Sequence, residues 1–229
     1  MVKTKITLLT ISVFAISTIF TSSAVAAPSS KPYKLNCKST KAKGHTVKNV
    51  LPPEVKAPFK NRTLSFATNC GDITIEAYGA SAPIAVTTML SLARNGFFNE
   101  TLCHRLTTNE IYLLHCGDPT ATGKSMPSGW KGFQDENLPE NTGNNYPAGT
   151  VAMANKGPGT NGSQFFLVYK DSYLPPNYTI WGQIESGLDL LVEIAEVGAY
   201  QINKADKKAY YVGDGLPIQT VEIKRVSVR

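Results

Sequence analysis

The chain has 229 residues, of which 42% are hydrophobic and 17% charged, and this composition excludes a fibrous or wholly disordered protein. It fits one globular domain with appendages. The formal net charge of +6 is unevenly distributed: residues 27–60 hold eight lysines and one glutamate, and two further lysines precede them, so residues 61–229 carry −3. This balance argues against nucleic acid as a partner of the globular part.

The amino terminus has the pattern of an export signal. Lys3 and Lys5 precede an uncharged, mostly apolar stretch from Ile6 to Phe20, and Ala24-Val25-Ala26 has the small residues of a cleavage site. We therefore predict a signal peptide over residues 1–26 and an exported protein, either secreted or held at the cell envelope. A retained anchor is the alternative. The apolar stretch of about 15 residues is shorter than the roughly 20 that span a bilayer, so we expect no stable membrane insertion after cleavage.

Residues 27–61 form a basic arm that is rich in Lys, Pro and Ser and contains Pro52-Pro53. No apolar periodicity runs through it, so we predict an extended, solvated tether. A weak attraction to an anionic envelope surface is the functional alternative.

The globular domain is predicted to cover residues 62–229 and to be mainly β. Short runs with β-branched or aromatic residues predict eight strands, and two stretches with apolar residues at helical spacing predict two helices. The predicted strands are Thr63–Ala67, Asp72–Tyr78, Leu102–Leu106, Ile111–Cys116, Thr150–Ala154, Gln164–Tyr169, Thr179–Ile184 and Ile218–Val228. The predicted helices run from Pro83 to Asn95-Gly96 and from Leu188 to Val197. So many short strands favour a closed or sandwiched β architecture.

The motifs of common catalytic sites are absent from the sequence. It has no phosphate-binding loop and no nucleophile elbow around a serine. Cys103-His104 and His115-Cys116 supply zinc-ligand residue types. Neighbouring side chains of a strand point to opposite faces, however, so each pair is poorly placed to converge on one ion. We expect neither a metal nor a cofactor.

Two polar segments within otherwise apolar strands carry a family resemblance. The segment Met153–Phe166 reads MANKGPGTNGSQFF, and Cys103-His104-Arg105 precedes His115-Cys116-Gly117-Asp118-Pro119. These segments resemble the cyclophilin signature M-A-N-x-G-P-x-T-N-G-S-Q-F-F and that family's F-H-R and Q-G-G-D-P motifs. The resemblance extends from Arg62 to Val228 and is closest to exported actinobacterial members. It implies an eight-stranded antiparallel β-barrel capped by two α-helices, with peptidyl-prolyl cis-trans isomerase activity.

The resemblance also implies a set of site residues. Arg105 is the expected catalytic side chain, and Gln164 is a polar neighbour that anchors the peptide near it. Ala154 and Asn155 are expected to hold the substrate backbone. Four residues are expected to line an apolar pocket for the proline ring: Tyr112, Leu113, Phe166 and Leu174.

The chain departs from the family pattern at three site positions. His115 stands where the family usually has the Gln that orients the arginine, Tyr178 replaces the usual pocket His, and Tyr173 replaces a common Trp. We hypothesise that neutral His115 accepts a hydrogen bond from Arg105, so that activity falls when the imidazole is protonated. There are also two extra residues between Arg105 and the Gly-Asp-Pro segment, which leaves the pocket residues Tyr112 and Leu113 open to a shift of one position.

Four cysteines in an exported chain permit two disulfides in three connectivities. Cys103 and Cys116 lie on strands predicted to be neighbours, so a bridge between them is our first choice, which leaves Cys37 to pair with Cys70. An unfavourable distance would exclude either bond, leaving free thiols.

The expected partners are proline-containing segments of exported proteins. We expect the enzyme that binds them to be a monomer. The alternative is a non-catalytic module of the cell envelope that binds proline-containing peptides.

Overall fold

The computed structural model describes residues 35–54 and 60–229. The predicted signal peptide, residues 1–26, lies outside the described residues. Within the described ranges, no helix has the length and apolar character needed to cross a membrane.

The domain is mainly β, as predicted, and all its strand pairs are antiparallel. Twelve strands form one hydrogen-bonded order, β10-β9-β11-β4-β5-β7-β6-β8-β2-β1-β12-β3. The strands are β1 (Arg62–Thr68), β2 (Asp72–Ala77), β3 (Thr101–Leu102), β4 (Arg105–Asn109), β5 (Ile111–Cys116), β6 (Thr150–Met153), β7 (Phe165–Val168), β8 (Ile180–Ser186), β9 (Ala199–Ile202), β10 (Ala209–Val212), β11 (Asp214–Pro217) and β12 (Glu222–Val228). Seven of the eight predicted strands are present with somewhat different ends, the predicted strand Leu102–Leu106 is interrupted at Cys103-His104 and divided between β3 and β4, and β9, β10 and β11 are additional.

Both predicted helices are confirmed as α1 (Pro83–Arg94) and α2 (Leu188–Val197). Pro83 occupies the first turn of α1, where its fixed φ suits a helix and its missing N–H costs no hydrogen bond. One face of each helix is buried against the sheet.

The sheet curls around a single apolar core. Phe66 of β1 and Phe165 of β7 have ring centroids 5.6 Å apart, although three strands separate β1 from β7 in the hydrogen-bonded order. Trp181 of β8 and Leu106 of β4 belong to the same buried cluster. Contacts across the interior between non-neighbouring strands are those expected of a barrel.

The described part of the arm differs from the predicted solvated tether. Residues 35–54 contain no helix or strand, but they run along the domain. Val50 is buried in the core cluster, and its carbonyl accepts a hydrogen bond from Trp130 Nε1 at 2.7 Å. Both predicted disulfides, Cys37–Cys70 and Cys103–Cys116, are present. A covalent link and scattered apolar side chains therefore fix a segment whose composition resembles a linker.

Candidate functional site

Four neighbouring strands align the predicted site residues in one row. Arg105 of β4 pairs with His115 of β5, His115 pairs with Phe166 of β7, and Phe166 pairs with Ala152 of β6. Directly paired residues of an antiparallel sheet project to the same face. The row therefore brings a guanidinium, an imidazole and an aromatic ring to the outer face of the sheet.

A second apolar cluster, separate from the barrel core, lies on this face. We call it the outer cluster. Its buried members are Leu113, Tyr146, Ala152, Phe166, Val168 and Leu174, and its partly buried members are Ile111, Ala154, Tyr178 and Ile180. The ring of Tyr178 meets that of Phe166 edge to face at a centroid distance of 5.5 Å, and the Tyr146 hydroxyl lies 3.1 Å from both the backbone N and the carbonyl oxygen of Tyr178. Three of the four predicted pocket residues thus come together beside Arg105.

Tyr112, the fourth, lies on the other face of β5. Its ring contacts Tyr169 at a centroid distance of 5.9 Å, and Lys170 Nζ lies 4.4 Å above it. Ile111 instead joins Leu113 in the outer cluster. The physical reason is the two-residue period of the strand, because a shift of one position moves a side chain to the opposite face. The prediction that Tyr112 lines the pocket is therefore wrong, because its side chain lies on the opposite face of β5 from the outer cluster.

Arg105 is held by a residue that the sequence did not reveal. Its Nε and Nη2 donate to the two carboxylate oxygens of Asp214 at 2.8 and 2.7 Å. Asp214 is the first residue of β11 and pairs with Thr107 of β4, two residues along from Arg105. The hydrogen bonds lower the pKa of Asp214 and raise that of Arg105, so both groups stay charged.

His115 does not accept a hydrogen bond from Arg105, contrary to our hypothesis. Its Nε2 is buried and has no hydrogen-bond partner among the described residues. Burial, together with the nearby His104 and Arg105, lowers the pKa of His115 to about 3. The two imidazole rings lie 4.7 Å apart. His115 is thus a buried, neutral imidazole that packs next to Arg105 without carrying a charge.

Gln164 is anchored by a loop that Asp118 organises. The Gln164 Nε2 donates to the carbonyl oxygen of Ser125 at 2.8 Å. Asp118 in turn accepts hydrogen bonds from the backbone N–H groups of Thr120, Lys124 and Ser125. Burial alone would raise the pKa of Asp118, but these hydrogen bonds outweigh it and lower the pKa, so the carboxylate that shapes the loop stays ionised.

Glycine at position 117 lets the two signature segments touch. A Cβ on Gly117 would lie 2.2 Å from the carbonyl oxygen of Ser163, and its φ of +92° is unfavourable for other residues. The Ser163 hydroxyl donates to the Gly117 carbonyl at 2.8 Å. This close approach brings Gln164 alongside the segment that carries His115.

Ala154 and Asn155 lie at the end of β6, between the outer cluster and Gln164. The Ala154 N–H donates to the Gln164 carbonyl at 2.9 Å, and the Asn155 side chain donates to the Asn177 carbonyl at 2.7 Å. Asp135 also fixes this loop, because it accepts hydrogen bonds from Gly159 N–H and the Asn161 side chain. A small cavity of about 70 Å³ opens next to Ala154, Asn155 and Gln164.

Tyr173 and Leu174 lie at the rim of the outer cluster but differ in exposure. Leu174 is buried, whereas 53% of Tyr173 is exposed and its hydroxyl donates to the Asn141 side chain at 2.9 Å. The zinc alternative fails on chemistry, since Cys103 and Cys116 are joined in a disulfide and offer no thiolate.

Comparison with known proteins gives a consistent result. The model of the family described as cyclophilin type peptidyl-prolyl cis-trans isomerase/CLD matches residues 63–228. A probable peptidyl-prolyl cis-trans isomerase B of Mycobacterium leprae is 44% identical over 177 residues, covering 72% of this chain and 60% of that protein. The protein of the same name from Mycobacterium tuberculosis (strain CDC 1551 / Oshkosh) is 39% identical over 191 residues, covering 75% and 62%. The chain thus spans less than two thirds of the length of these relatives.

Solved structures share the fold. A cyclophilin type peptidyl-prolyl cis-trans isomerase of Cryptosporidium parvum superposes with a TM-score of 0.60 at 26% identity, covering 74% of this chain and 98% of that one. A second structure of that protein, determined in the presence of the dipeptide Ala-Pro, gives a TM-score of 0.59 at 26% identity, covering 73% and 98%.

Proposed function

The chain belongs to the cyclophilin-type peptidyl-prolyl cis-trans isomerase family, and we propose that it accelerates the cis-trans isomerisation of X-Pro bonds. One observation carries the proposal: Arg105, fixed by two hydrogen bonds, lies on the same face and in the same cross-strand row as Phe166 of the outer cluster. A cation beside an apolar surface is the arrangement that this reaction needs.

The reaction requires rotation about a peptide bond and no covalent intermediate. The barrier is about 18–20 kcal/mol, and uncatalysed X-Pro isomerisation takes tens to hundreds of seconds. At the twisted transition state the C–N bond loses its double-bond character and the prolyl nitrogen gains a lone pair. A donor that binds this nitrogen only in the twisted state lowers the barrier.

We assign Arg105 as that donor. Asp214 occupies Nε and one side of Nη2, so Nη1 keeps its N–H groups for the substrate. The proline ring would pack on Phe166, Leu113 and Leu174, which excludes water from the twisting bond. The presence of Ala-Pro with the related structure supports a proline-containing ligand for this chain as well.

The neighbouring polar groups are assigned to the peptide on either side of the bond. Gln164, held by the Ser125 carbonyl, offers its side-chain oxygen near Arg105. Ala154 and Asn155 would align the substrate backbone along the end of β6. Tyr178 and Tyr173 would bound the proline site at its outer rim.

We also propose that the protein works outside the cytoplasm on exported proteins, as a monomer. The predicted signal peptide at residues 1–26, the arm at residues 27–61 and the isomerase domain at residues 62–229 are the basis of this proposal. Two disulfides support it, because such bonds persist in oxidising compartments.

A protease-coupled assay with a short Ala-Pro peptide tests the activity. We expect the wild-type protein to accelerate isomerisation and Arg105→Ala to lose most of the acceleration. Arg94→Ala, an exposed arginine at the end of α1, is the control and should retain it. Peptide binding without acceleration by the wild-type protein would instead favour the non-catalytic binding module.

A further inference from the structure

The strands β9, β10 and β11 present an unusual apolar surface to solvent. Tyr211 of β10 pairs with Tyr200 of β9, and Tyr200 pairs with Leu216 of β11. These three side chains therefore form one row on the same face of the sheet. Ile202 lies on the same face of β9, two residues from Tyr200. The exposed fractions are 85% for Tyr211, 54% for Ile202 and 36% for Leu216. We call these four residues the hairpin face.

The hairpin face borders a groove that reaches Arg105. The groove has a volume of about 650 Å³, and its lining includes the apolar side chains of Tyr200, Ile202 and Leu216 as well as Arg105 and Lys124. Leu216 comes two residues after Asp214 on the same face of β11, so the strand that holds the arginine also supplies part of the apolar lining. Arg105 is therefore shared between the outer cluster on one side and this groove on the other.

We propose that this groove is an extended substrate subsite, which binds an aromatic or large aliphatic side chain of the same polypeptide whose X-Pro bond is isomerised. This inference rests on the proposed function. The occupant follows from continuity, since a chain that places its proline on Phe166 and passes Arg105 runs directly into the groove. Tyr200 lines the groove and offers a ring surface that favours aromatic partners.

The strand order sets the spacing between the two subsites. Three strand spacings separate β7, which carries Phe166, from β11, which carries Leu216. At about 4.8 Å for each spacing, the distance is roughly 14 Å. An extended peptide covers about 3.4 Å per residue, so the recognised side chain lies about four residues from the proline. A tetrapeptide substrate does not reach the groove.

The test uses the wild-type protein with a series of decapeptides that contain one proline. Each peptide has a single tyrosine three, four or five residues before or after the proline, and serine fills those of these six positions that do not carry the tyrosine. For every peptide, kcat/KM is measured by exchange NMR. We expect one position to raise kcat/KM about fivefold over the peptide without tyrosine, mainly through KM. Equal kcat/KM for all the peptides would overturn the subsite while leaving the isomerase activity intact. Failure to accelerate any peptide would overturn the proposed function itself.

Two variants locate the effect on the protein. In Leu216→Ser, kcat/KM for the favoured tyrosine peptide should no longer exceed kcat/KM for the peptide without tyrosine. Val192→Ser is the matched control, because Val192 is 37% exposed but lies on α2. The inference is overturned if Val192→Ser reduces the advantage equally. Sedimentation of the wild-type protein adds an independent check: a dimer that dissociates on Tyr211→Ser would mean that a second copy covers the hairpin face, and would overturn it as well.

Discussion

The side chains of Arg105 and Asp214 form a two-point contact in which each carboxylate oxygen accepts one guanidinium N–H, at 2.8 and 2.7 Å. About half of each side chain is exposed, at 42% and 53%. A pair in this setting adds little to stability, since exposed ion pairs contribute about 0–1 kcal/mol. The two-point contact instead fixes the orientation of Arg105, because two parallel hydrogen bonds hold the plane of the guanidinium.

Replacing Asp214 by Asn should therefore impair catalysis more than stability. Asn keeps the size but loses the charge and one acceptor, so the guanidinium plane is no longer fixed. We expect kcat/KM for a short Ala-Pro peptide to fall about tenfold, mainly in kcat. The free energy of unfolding, measured by urea titration, should change by less than about 1 kcal/mol. Asp206→Asn, in the exposed turn between β9 and β10, is the control. An Asp214→Asn variant as active as this control would show that Asp214 does not position Arg105.

The pH dependence of activity should be flat between about pH 5 and 8. Burial holds His115 neutral with a pKa of about 3, and it also lowers the pKa of His104. Asp214 has its pKa lowered by Arg105 and stays ionised throughout this range. The two groups nearest the guanidinium, His115 and Asp214, keep their charge states in this range, so kcat/KM should stay constant. A sigmoidal loss in the wild-type protein that disappears in His115→Gln would restore the hypothesis that protonation of His115 switches the site off.

Stability, in contrast, should depend on pH through the same histidine. In the unfolded chain His115 binds a proton below about pH 6.5, whereas the folded protein holds the ring neutral down to about pH 3. The unfolded state therefore binds more protons in this window, and the free energy of unfolding should rise with pH by up to about 1.4 kcal/mol per unit. Urea titrations at pH 4, 5, 6 and 7 measure this slope. His115→Gln should reduce it, and an equal slope in both proteins would contradict the pKa of about 3.

The sequence predicted the parts of the fold that depend on local patterns. Alternation of apolar and polar residues located seven of the strands, and Pro83 marked the start of α1. The family resemblance supplied Arg105 and Phe166 as site residues, and the cross-strand row that joins them was seen only in the structure. The strands and α1 rest on residues close to one another in the chain, whereas Arg105 and Phe166 lie 61 positions apart and only the resemblance connected them.

Other features depend on long-range geometry and could not be predicted. Asp214 lies 109 positions from Arg105, and no periodicity links an isolated aspartate to a distant arginine. The strands β9 to β11 are four residues each and lie around a lysine-rich turn, so their pattern is too short to stand out. The face of the sheet on which Tyr112 lies was predicted wrongly. Which residues of β5 face outward depends on the length of the turn before the strand, and the sequence does not fix that length. In the arm, single apolar residues such as Val50 have no period that would reveal their burial.

The Cys37–Cys70 disulfide should be what keeps the arm on the domain. Besides this bond, the described arm is anchored by separate hydrogen bonds. Lys38 N–H donates to the Asn69 carbonyl and Asn69 Nδ2 returns a bond to the Lys38 carbonyl, Thr40 donates to Glu222, His45 N–H donates to the Pro119 carbonyl, Lys48 donates to the Asn95 carbonyl, and Trp130 donates to the Val50 carbonyl. The bridge spans 33 positions, and loss of a native disulfide costs about 2–5 kcal/mol. The double replacement of Cys37 and Cys70 by Ser avoids a free thiol. We expect it to lower the free energy of unfolding by about 2–4 kcal/mol.

The same double variant should also expose the arm to trypsin under native conditions. Lys41, Lys43 and Lys48 are exposed, but the backbone around them must leave the domain before a protease can bind it. Mass spectrometry of a timed digest should show cleavage after these lysines much earlier than in the wild-type protein. Treatment of the wild-type protein with a thiol reductant, which acts on Cys103–Cys116 as well as on Cys37–Cys70, gives a third sample without substitutions. Digestion at the same rate in all three samples would mean that hydrogen bonds and the packing of Val50 hold the arm without the disulfide.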